Sequence, residues 1–430
     1  MRNRDRYWWP LTQASVLLSP VLLLLGLAVA GVSTEHIDRY WLDLASKSTT
    51  SIMLVAPAFA ALSAWDASRW RLLSAVSARS ALGLLVRHLV WVAATMTVIY
   101  TASFALLFGL VGVPVGKPTI AVTAMAVLAT TGYAAFGFGL GWFVPRLIAT
   151  PSAFALVWLW VAYTPAVMPF WLRNVTGNLG NSCCSLNQEL LPAGLWAPVI
   201  STGTLTIAVM IVLAAWGSPA AAWATATRDG EAWRTGAPIA ASVLALLVAG
   251  GGLVTARALV LDVGPDPVHE RTGEQICISE NGQTWCAWPE NRAALEASAP
   301  ELTQVAENLR TAGLGVPMRM EESRNNSGWS FYTDTVVTED MVRSFATSVI
   351  NDVYPACLEH ENAVRTSSYE NEVLALAWLE VAAGIEIESA IDYNQVASDD
   401  LTAILALPQA EQLDWFAGLH RELNSCEYVE

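Results

Sequence analysis

"APIAASVLALLVAGGGLVTARALV" (Ala237–Val260) divides the chain into two unlike halves. Its first twenty residues, Ala237 to Ala256, carry no charge. A helix of that length rises about 30 Å, the thickness of a bilayer's hydrocarbon core. The stretch therefore reads as a transmembrane helix. On its N-terminal side, residues 1–261 hold 15 Lys+Arg against 8 Asp+Glu, a net of +7. On its C-terminal side, residues 262–430 hold 8 Arg, no Lys and 30 acids, a net of −22. The whole chain of 430 residues is 54% hydrophobic and 14% charged, too apolar for an ordinary soluble protein. The acidic half repels phosphate backbones, which excludes a nucleic-acid role.

Working upstream, apolar runs without charge predict six further spans, at 14–33, 49–65, 89–112, 119–143, 151–172 and 196–216, with 237–257 as the seventh. The first is no cleaved signal peptide, because it lacks a small-residue cleavage site and further spans follow. With the N-terminus inside, the inner loops hold Arg2, Arg4, Arg6, Arg69, Arg71, Arg79, Arg87, Arg146, Arg228 and Arg234. The outer loops and flanks hold Arg39, Lys47, Lys117, Arg173 and Arg257. Ten against five sets the N-terminus inside and, after seven spans, the C-terminus outside. All six cysteines then fall in outer segments. No Asp, Glu, Lys, Arg or His stands near the centre of these spans, which counts against proton or sodium coupling through buried carboxylates.

Working downstream, "DVGPDPVHERTGEQ" (Asp262–Gln275) reads as a polar linker. "CISENGQTWC" (Cys277–Cys286) follows. Asn281-Gly282 marks a type I′ hairpin turn, since both residues tolerate positive φ. Pairing outward from the turn sets Cys277 opposite Cys286 at a non-hydrogen-bonded position, where side chains approach most closely. Either the two form a cross-strand disulfide, which requires an oxidising compartment, or they are free thiols. Helices are predicted from Pro289 to about Arg310, after Thr338 to Tyr354, from a Ser367/Glu370 capping box to Ala383, and after Ser398 and Pro408. "VPMRMEES" and "GWSFYTDTVV" alternate like strands. Cys357 and Cys426 each follow a helix and are natural partners. Cys183 and Cys184 either pair with each other or bridge two protomers. Trp285 and Trp288 belong to a core or to a partner-binding patch.

Little points to chemistry. "CLEHE" (Cys357–Glu361) lacks a second set of ligands for a metal, and HExxH is absent. Gly-x-Ser-x-Gly and Ser-x-x-Lys are absent too. "GVPVGKPT" (Gly112–Thr119) has the wrong spacing for a phosphate-binding loop. No catalytic residue, metal or cofactor is expected, and the protein is not read as an enzyme. Gly132, Gly137 and Gly141 give the fourth span a small-residue face, for close helix packing or for a homodimer seam. Tryptophans near the span ends, Trp65, Trp142, Trp196 and Trp216 among them, suit an interfacial belt.

The layout of residues 1–217 carries a resemblance. "MRNRDRYWWPLTQ" precedes the first span. "DASRWRLLSAVSARSALGLLVRH" (Asp66–His88) joins spans two and three. "RNVTGNLGNSCCSLNQELLPAGLW" separates spans five and six. This resembles the permease subunit of an ABC exporter of the type V class. The resemblance implies an N-terminal interfacial helix, a coupling helix after span two that docks on a separate ATPase, and short outer helices over the exit. Carried over, the coupling segment is Trp70–Ser80 with Arg69, Arg71 and Arg79. These arginines suit carboxylate pairing across an interface, or they serve only the inside-positive charge bias. The family stops at six spans with both termini inside; this chain adds a seventh span and an outer domain.

The reading is an α-helical polytopic membrane protein with about seven transmembrane helices. Its C-terminal extracytoplasmic domain is α+β, mostly helical and disulfide-stapled. The divisions are 1–217 permease-like, 218–261 cytoplasmic loop and seventh span, and 262–430 outer domain. The expected setting is a bacterial plasma membrane. The expected partners are a cytoplasmic ABC ATPase, the lipid bilayer, and a second copy or second permease. The rival reading is a non-transporting seven-span anchor whose outer domain senses or binds a ligand.

Overall fold

The computed structural model describes residues 13–32, 40–77, 80–112, 116, 119–164, 167, 169–179, 183–184, 186–216, 233–263, 266–322, 329–333, 336–351, 363–365, 369–423 and 425–428. The chain forms two compact units, Met1–Glu270 and Arg271–Glu430.

The first unit is a helix bundle. Its helices are α1 (Ala14–Leu17), α2 (Ser19–Val32), α3 (Trp41–Ser48), α4 (Ile52–Ser77), α5 (Ala81–Val111), α6 (Ala121–Phe143), α7 (Arg146–Trp158), α8 (Pro192–Trp216) and α9 (Trp233–Val260). A π-helical turn, Leu159–Tyr163, extends α7. Among the described residues, six stretches are long and apolar enough to cross a membrane: Trp41–Arg71, Ala81–Val111, Ala121–Phe143, Arg146–Tyr163, Pro192–Trp216 and Ile239–Val260.

The first expected span, 14–33, is instead broken at Leu18, and α2 has only 14 residues. Pro20 has no N–H to give the Val16 carbonyl, which accepts the Ser19 hydroxyl at 2.7 Å instead. Span two is also longer than 49–65. Between Pro57 and Ser77 the sequence has neither Gly nor Pro, so α4 runs on through 66–77. The predicted loop Asp66–His88 is therefore mostly helix. Ser80 caps α5, accepting Gly83 N–H at 3.2 Å.

Close backbone contact organises the bundle. On α6, Gly137 lies against Ala60 and Gly141 against Ala64, both on α4. Gly132 lies against Thr202 of α8. The glycine face is thus used inside one chain. At one end of the bundle, Ala45 of α3, Val122 and Met125 of α6, Leu179, Cys183 and Cys184 form a cluster, joined by Leu195 of α8 and by Val268. At the other end stand Ala67, Trp70, Leu84 and Trp142. These are the cysteine end and the arginine end. The expected linker begins as a strand at the cysteine end: β2 (Val268–Glu270) pairs antiparallel with β1 (Gln188–Leu190). Arg173 and Asp266 reinforce this pairing at 3.8 Å.

The second unit is built on the predicted hairpin. β3 (Ile276–Glu280) and β4 (Gln283–Ala287) pair with Cys277 opposite Cys286 and Glu280 opposite Gln283. Asn281 and Gly282 have φ of 50° and 86°, as a type I′ turn requires. The paired cysteines are 4.0 Å apart at Cα. β5 (Arg319–Glu321) adds parallel to β4. The helices are α10 (Arg292–Thr311), α11 (Glu339–Asn351), α12 (Tyr369–Ala383), α13 (Ile387–Asn394), α14 (Ser398–Leu405) and α15 (Gln409–Leu423). β6 (Ala363–Arg365) pairs with β7 (Cys426–Tyr428). "GWSFYTDTVV" forms no strand among its described residues. Trp329 and Phe331 alternate because both enter the core, around Phe345. Trp285 and Trp288 are core residues, 0% and 2% exposed. Trp285 donates to the Thr303 hydroxyl at 2.8 Å and meets Phe331 and Phe345 edge-on.

Candidate functional site

The arginine end concentrates the polar side chains that sequence reading assigned to a loop. On α4, Ser63, Asp66, Ala67 and Trp70 share the buried face, at helical spacing, while Arg69 points out and is exposed. The Asp66 carboxylate accepts the backbone N–H groups of Ala14 (2.9 Å) and Ser15 (3.3 Å) and the Ser15 hydroxyl (3.3 Å). It is a cap supplied from another helix. A carboxylate there answers both the free N–H groups and the positive end of the dipole of α1. Gln13, the local cap residue, makes no capping bond. Its side chain instead faces His88 of α5.

His88 is fully buried. Its Nδ1 lies 3.1 Å from Gln13 Oε1, and its Nε2 lies 2.8 Å from Ser63 Oγ. A neutral imidazole satisfies both: Nδ1–H donates to the amide oxygen and Nε2 accepts the hydroxyl. Trp70 stands edge-on to the imidazole at 5.4 Å, and Phe138 packs against it at 5.5 Å. Trp142 stacks on Phe138 at 5.9 Å. The cluster joins α1, α4, α5 and α6.

Two further cations are used inside the bundle. Arg71 Nη1 donates to the Trp142 carbonyl at 3.0 Å, satisfying the last turn of α6. Arg146 lies 3.9 Å over the Trp65 ring. Of the predicted coupling residues, Trp70 is therefore a core side chain and Arg71 a cap. Arg69 is on the surface, and Arg79 lies outside the described residues. The segment Trp70–Ser80 is not a separate helix over its described part but the end of α4. The expected span boundaries are corrected as well. Asp66 and His88 both lie in membrane-length helices, though not at their centres. The signal in the sequence was the unbroken helical composition on either side of Asp66.

Chemically, the cluster holds helices rather than reacting. One carboxylate is spent on three N–H and O–H donors, and one neutral imidazole is bonded at both nitrogens. Among the described residues, no group of three or more His, Cys, Asp or Glu side chains is placed to hold a metal ion. "CLEHE" and Cys357 lie outside the described residues, so the expected Cys357–Cys426 pair does too. At the cysteine end, the Cys183 and Cys184 side chains lie side by side and buried, and the Cys183 carbonyl accepts the Ser46 hydroxyl at 2.7 Å.

The second unit has its own polar centre. Arg343, 6% exposed on its side chain, pairs with Glu380 and with Glu339, and it donates to Ser389 at 2.6 Å. The Tyr393 ring lies 4.3 Å from its guanidinium. Burial pushes the Glu380 carboxyl above the usual range; the Asn394 amide, at 3.0 Å, and Arg343 oppose that shift. Hydrogen bonds from Ser389 and Arg343 hold Glu339 below the usual range. Beside this network opens a cleft of about 600 Å³, lined by Glu301, Gln304, Asn308, Glu339, Glu386 and Ser389 over an apolar floor.

Comparison with known proteins gives one match. A family described as "Domain of unknown function (DUF7224)" matches residues 285–426, almost wholly the second unit. No curated protein and no solved structure matches the chain.

Proposed function

We propose that the chain is the membrane-spanning subunit of an ABC-type exporter. In this reading it sits in a bacterial plasma membrane with its N-terminus inside. A separate ATPase drives it, a second copy or second permease completes the pathway, and the second unit gates or binds substrate outside. One observation carries the reading: α4 is continuous from Ile52 to Ser77, with Arg69 exposed near its inner end. A 26-residue helix is about 39 Å long and transmits a push along its axis. A motor docked on Arg69 would thereby act at the opposite end of the bundle.

The test is co-purification. Arg69→Glu with Arg79→Glu reverses two charges at the docking end and leaves the capping Arg71 untouched. Breaking a buried charged contact costs about 2–5 kcal/mol, enough to release a partner held at micromolar affinity, near −8 kcal/mol. Reversal of Arg228 and Arg234 is the control. Topology is checked in both, since lost inner arginines can flip a span. Undiminished co-purification of the ATPase with the Arg69/Arg79 variant would sink the docking assignment.

A second reading, a seven-helix anchor for a sensing or ligand-binding domain, has its own support. The family match covers almost only the second unit, as expected of a module that works apart from its anchor. If no ATPase co-purifies with the unaltered protein, this reading takes precedence.

A further inference from the structure

We propose that the cleft of the second unit is a binding site for a small organic cation, an ammonium or guanidinium carried on an apolar body. The proposal rests on the part shared by both readings above, that the second unit binds a ligand, and not on the ATPase. The cleft lies wholly within that unit, among α10, α11 and α13. At about 600 Å³ it has the size of a small-molecule pocket. Its floor is apolar, with Val305 and Ile385 buried and Val342 half-buried. Carboxylates abound on this unit, and most are solvated surface. Those of the cleft differ in flanking a concavity with an apolar floor.

The polar groups decide the sign of the ligand. The side-chain donors around the cleft are already engaged. Gln304 Nε2 donates to Asn308 Oδ1 at 3.0 Å, and Asn308 Nδ2 donates to the Ala383 carbonyl at 2.8 Å. The Ser389 hydroxyl donates to Glu339 at 2.6 Å. Glu339 is itself spent on Arg343, which Glu380 also neutralises. Glu301 and Glu386 remain. Both are exposed, and among the described residues neither side chain makes a hydrogen bond or ion pair. Two helices, α11 and α13, begin beside the cleft, but an anion at either start would meet Glu339 or Glu386. A bare metal ion finds no set of three ligands among the described residues. A neutral apolar molecule would cover the floor and leave the carboxylates unanswered. An organic cation answers both, its body on the floor and its charge between Glu301 and Glu386. The surrounding field favours it too, since residues 262–430 carry a net of −22.

The test is photo-labelling of the full-length protein in nanodiscs. The probe is an alkyl diazirine bearing a primary ammonium, and its counterpart bears a hydroxyl on the same skeleton. The ammonium should label the floor, read by mass spectrometry at Val305, Val342 and Ile385, and the alcohol should label it far less. Glu301→Gln with Glu386→Gln should cut the ammonium label about fivefold, a modest factor because exposed ion pairs are individually weak. Added salt should cut it as well. Glu370→Gln with Asp400→Asn removes the same charge from another cleft of the unit and should leave the floor label unchanged. An unlabelled floor, equal labelling by the alcohol, or a label that survives in the Glu301/Glu386 variant would overturn the proposal. So would an equal loss in the Glu370/Asp400 variant, which would assign the attraction to net charge alone. The label is read without any ATPase, so this site and the docking on Arg69 stand or fall separately.

Discussion

Gly137→Ala and Gly141→Ala test the seam on which the bundle is built. A Cβ at Gly137 would stand 2.7 Å from Ala60 Cα, and one at Gly141 would stand 2.5 Å from Ala64 Cα. The Ala60 and Ala64 carbonyl groups are nearer still. Ordinary contact begins at 3.4 Å, and the carbonyl oxygens are the nearest atoms, so α4 and α6 must part by more than about 1 Å. The obstacle is backbone, which cannot swing away as a side chain would. A gap of that size forfeits about half of each dispersion contact along the seam, and overpacking of this kind costs about 1–3 kcal/mol. The two positions share one seam. Once the first methyl has opened it, the second should add less than its own single cost. Gly250→Ala and Gly251→Ala are the controls, since nothing lies within 4 Å of a Cβ at either position. They carry the same gain in helix propensity without the clash, so the difference isolates the seam. The assay is thermal unfolding of the full-length protein in detergent, read as the fraction surviving on size exclusion. If the seam variants melt with the controls, the packing argument fails. If they melt with the controls and lose a dimer, the glycine face is a homodimer seam.

Non-reducing peptide mapping should recover Cys277 joined to Cys286, and a Ser substitution at either should cost about 2–3 kcal/mol for so short a loop; both recovered as free thiols from alkylated cells would refute the staple. An alkaline phosphatase fused after Glu430 should be active and a fluorescent protein dark, and the reverse pattern would overturn the orientation. Glu380→Gln should change the pH dependence of stability. The carboxyl of Glu380 is raised by burial, so its contribution is fully present below the unfolded Glu value and is lost as pH rises through the folded one. Relative to the Gln variant, the unaltered protein should therefore lose stability from mildly acidic towards neutral pH, and parallel curves would refute this. Glu339 runs the other way, contributing above the unfolded value and losing it as pH falls, so the acid loss should persist in both.

The hairpin was legible because its signals are local. Asn281-Gly282 fixes the turn, and the alternation of strand pairs then fixes the register of Cys277 and Cys286 without reference to any other part of the chain. The same holds for helix starts at Thr338, where the hydroxyl accepts Met341 N–H at 3.3 Å, and after Pro408. Helix ends in the membrane were less legible. Span boundaries were read from the first charge, which put Asp66 and His88 in a loop. Helix continuation depends on Gly and Pro instead, and both residues stay helical because Asp66 is met by the start of α1 and His88 by Gln13 and Ser63. A tertiary cap of that kind has no local signature. The pairing of β1 with β2 is also invisible in sequence, since it joins residues about 80 apart through backbone alone. The helix Ile387–Asn394 was missed between stronger neighbours.

The placement of polar groups argues for where such a bundle yields. At the arginine end, Asp66, His88, Arg71 and Arg146 are each bonded or stacked across helices. Among the described residues the Gln13 amide nitrogen and, one turn after Arg146, the Thr150 hydroxyl are the buried groups there without a partner. A satisfied network in a low dielectric resists rearrangement, because moving one member strands the others. Towards the cysteine end the opposite holds. Thr50, Ser51 and Ser103 are buried hydroxyls without protein partners, and α2, which packs beside two of them, has only 14 residues. Separating α2 from α4 and α5 there breaks few direct bonds. A force entering α4 at Arg69 meets a stiff end first and a compliant one about 25 Å away, taking 1.5 Å per residue from Arg69 back to Ile52. If an ATPase docks on Arg69 as proposed, displacement should therefore appear at the α2–α4–α5 junction and not among the residues that take the load.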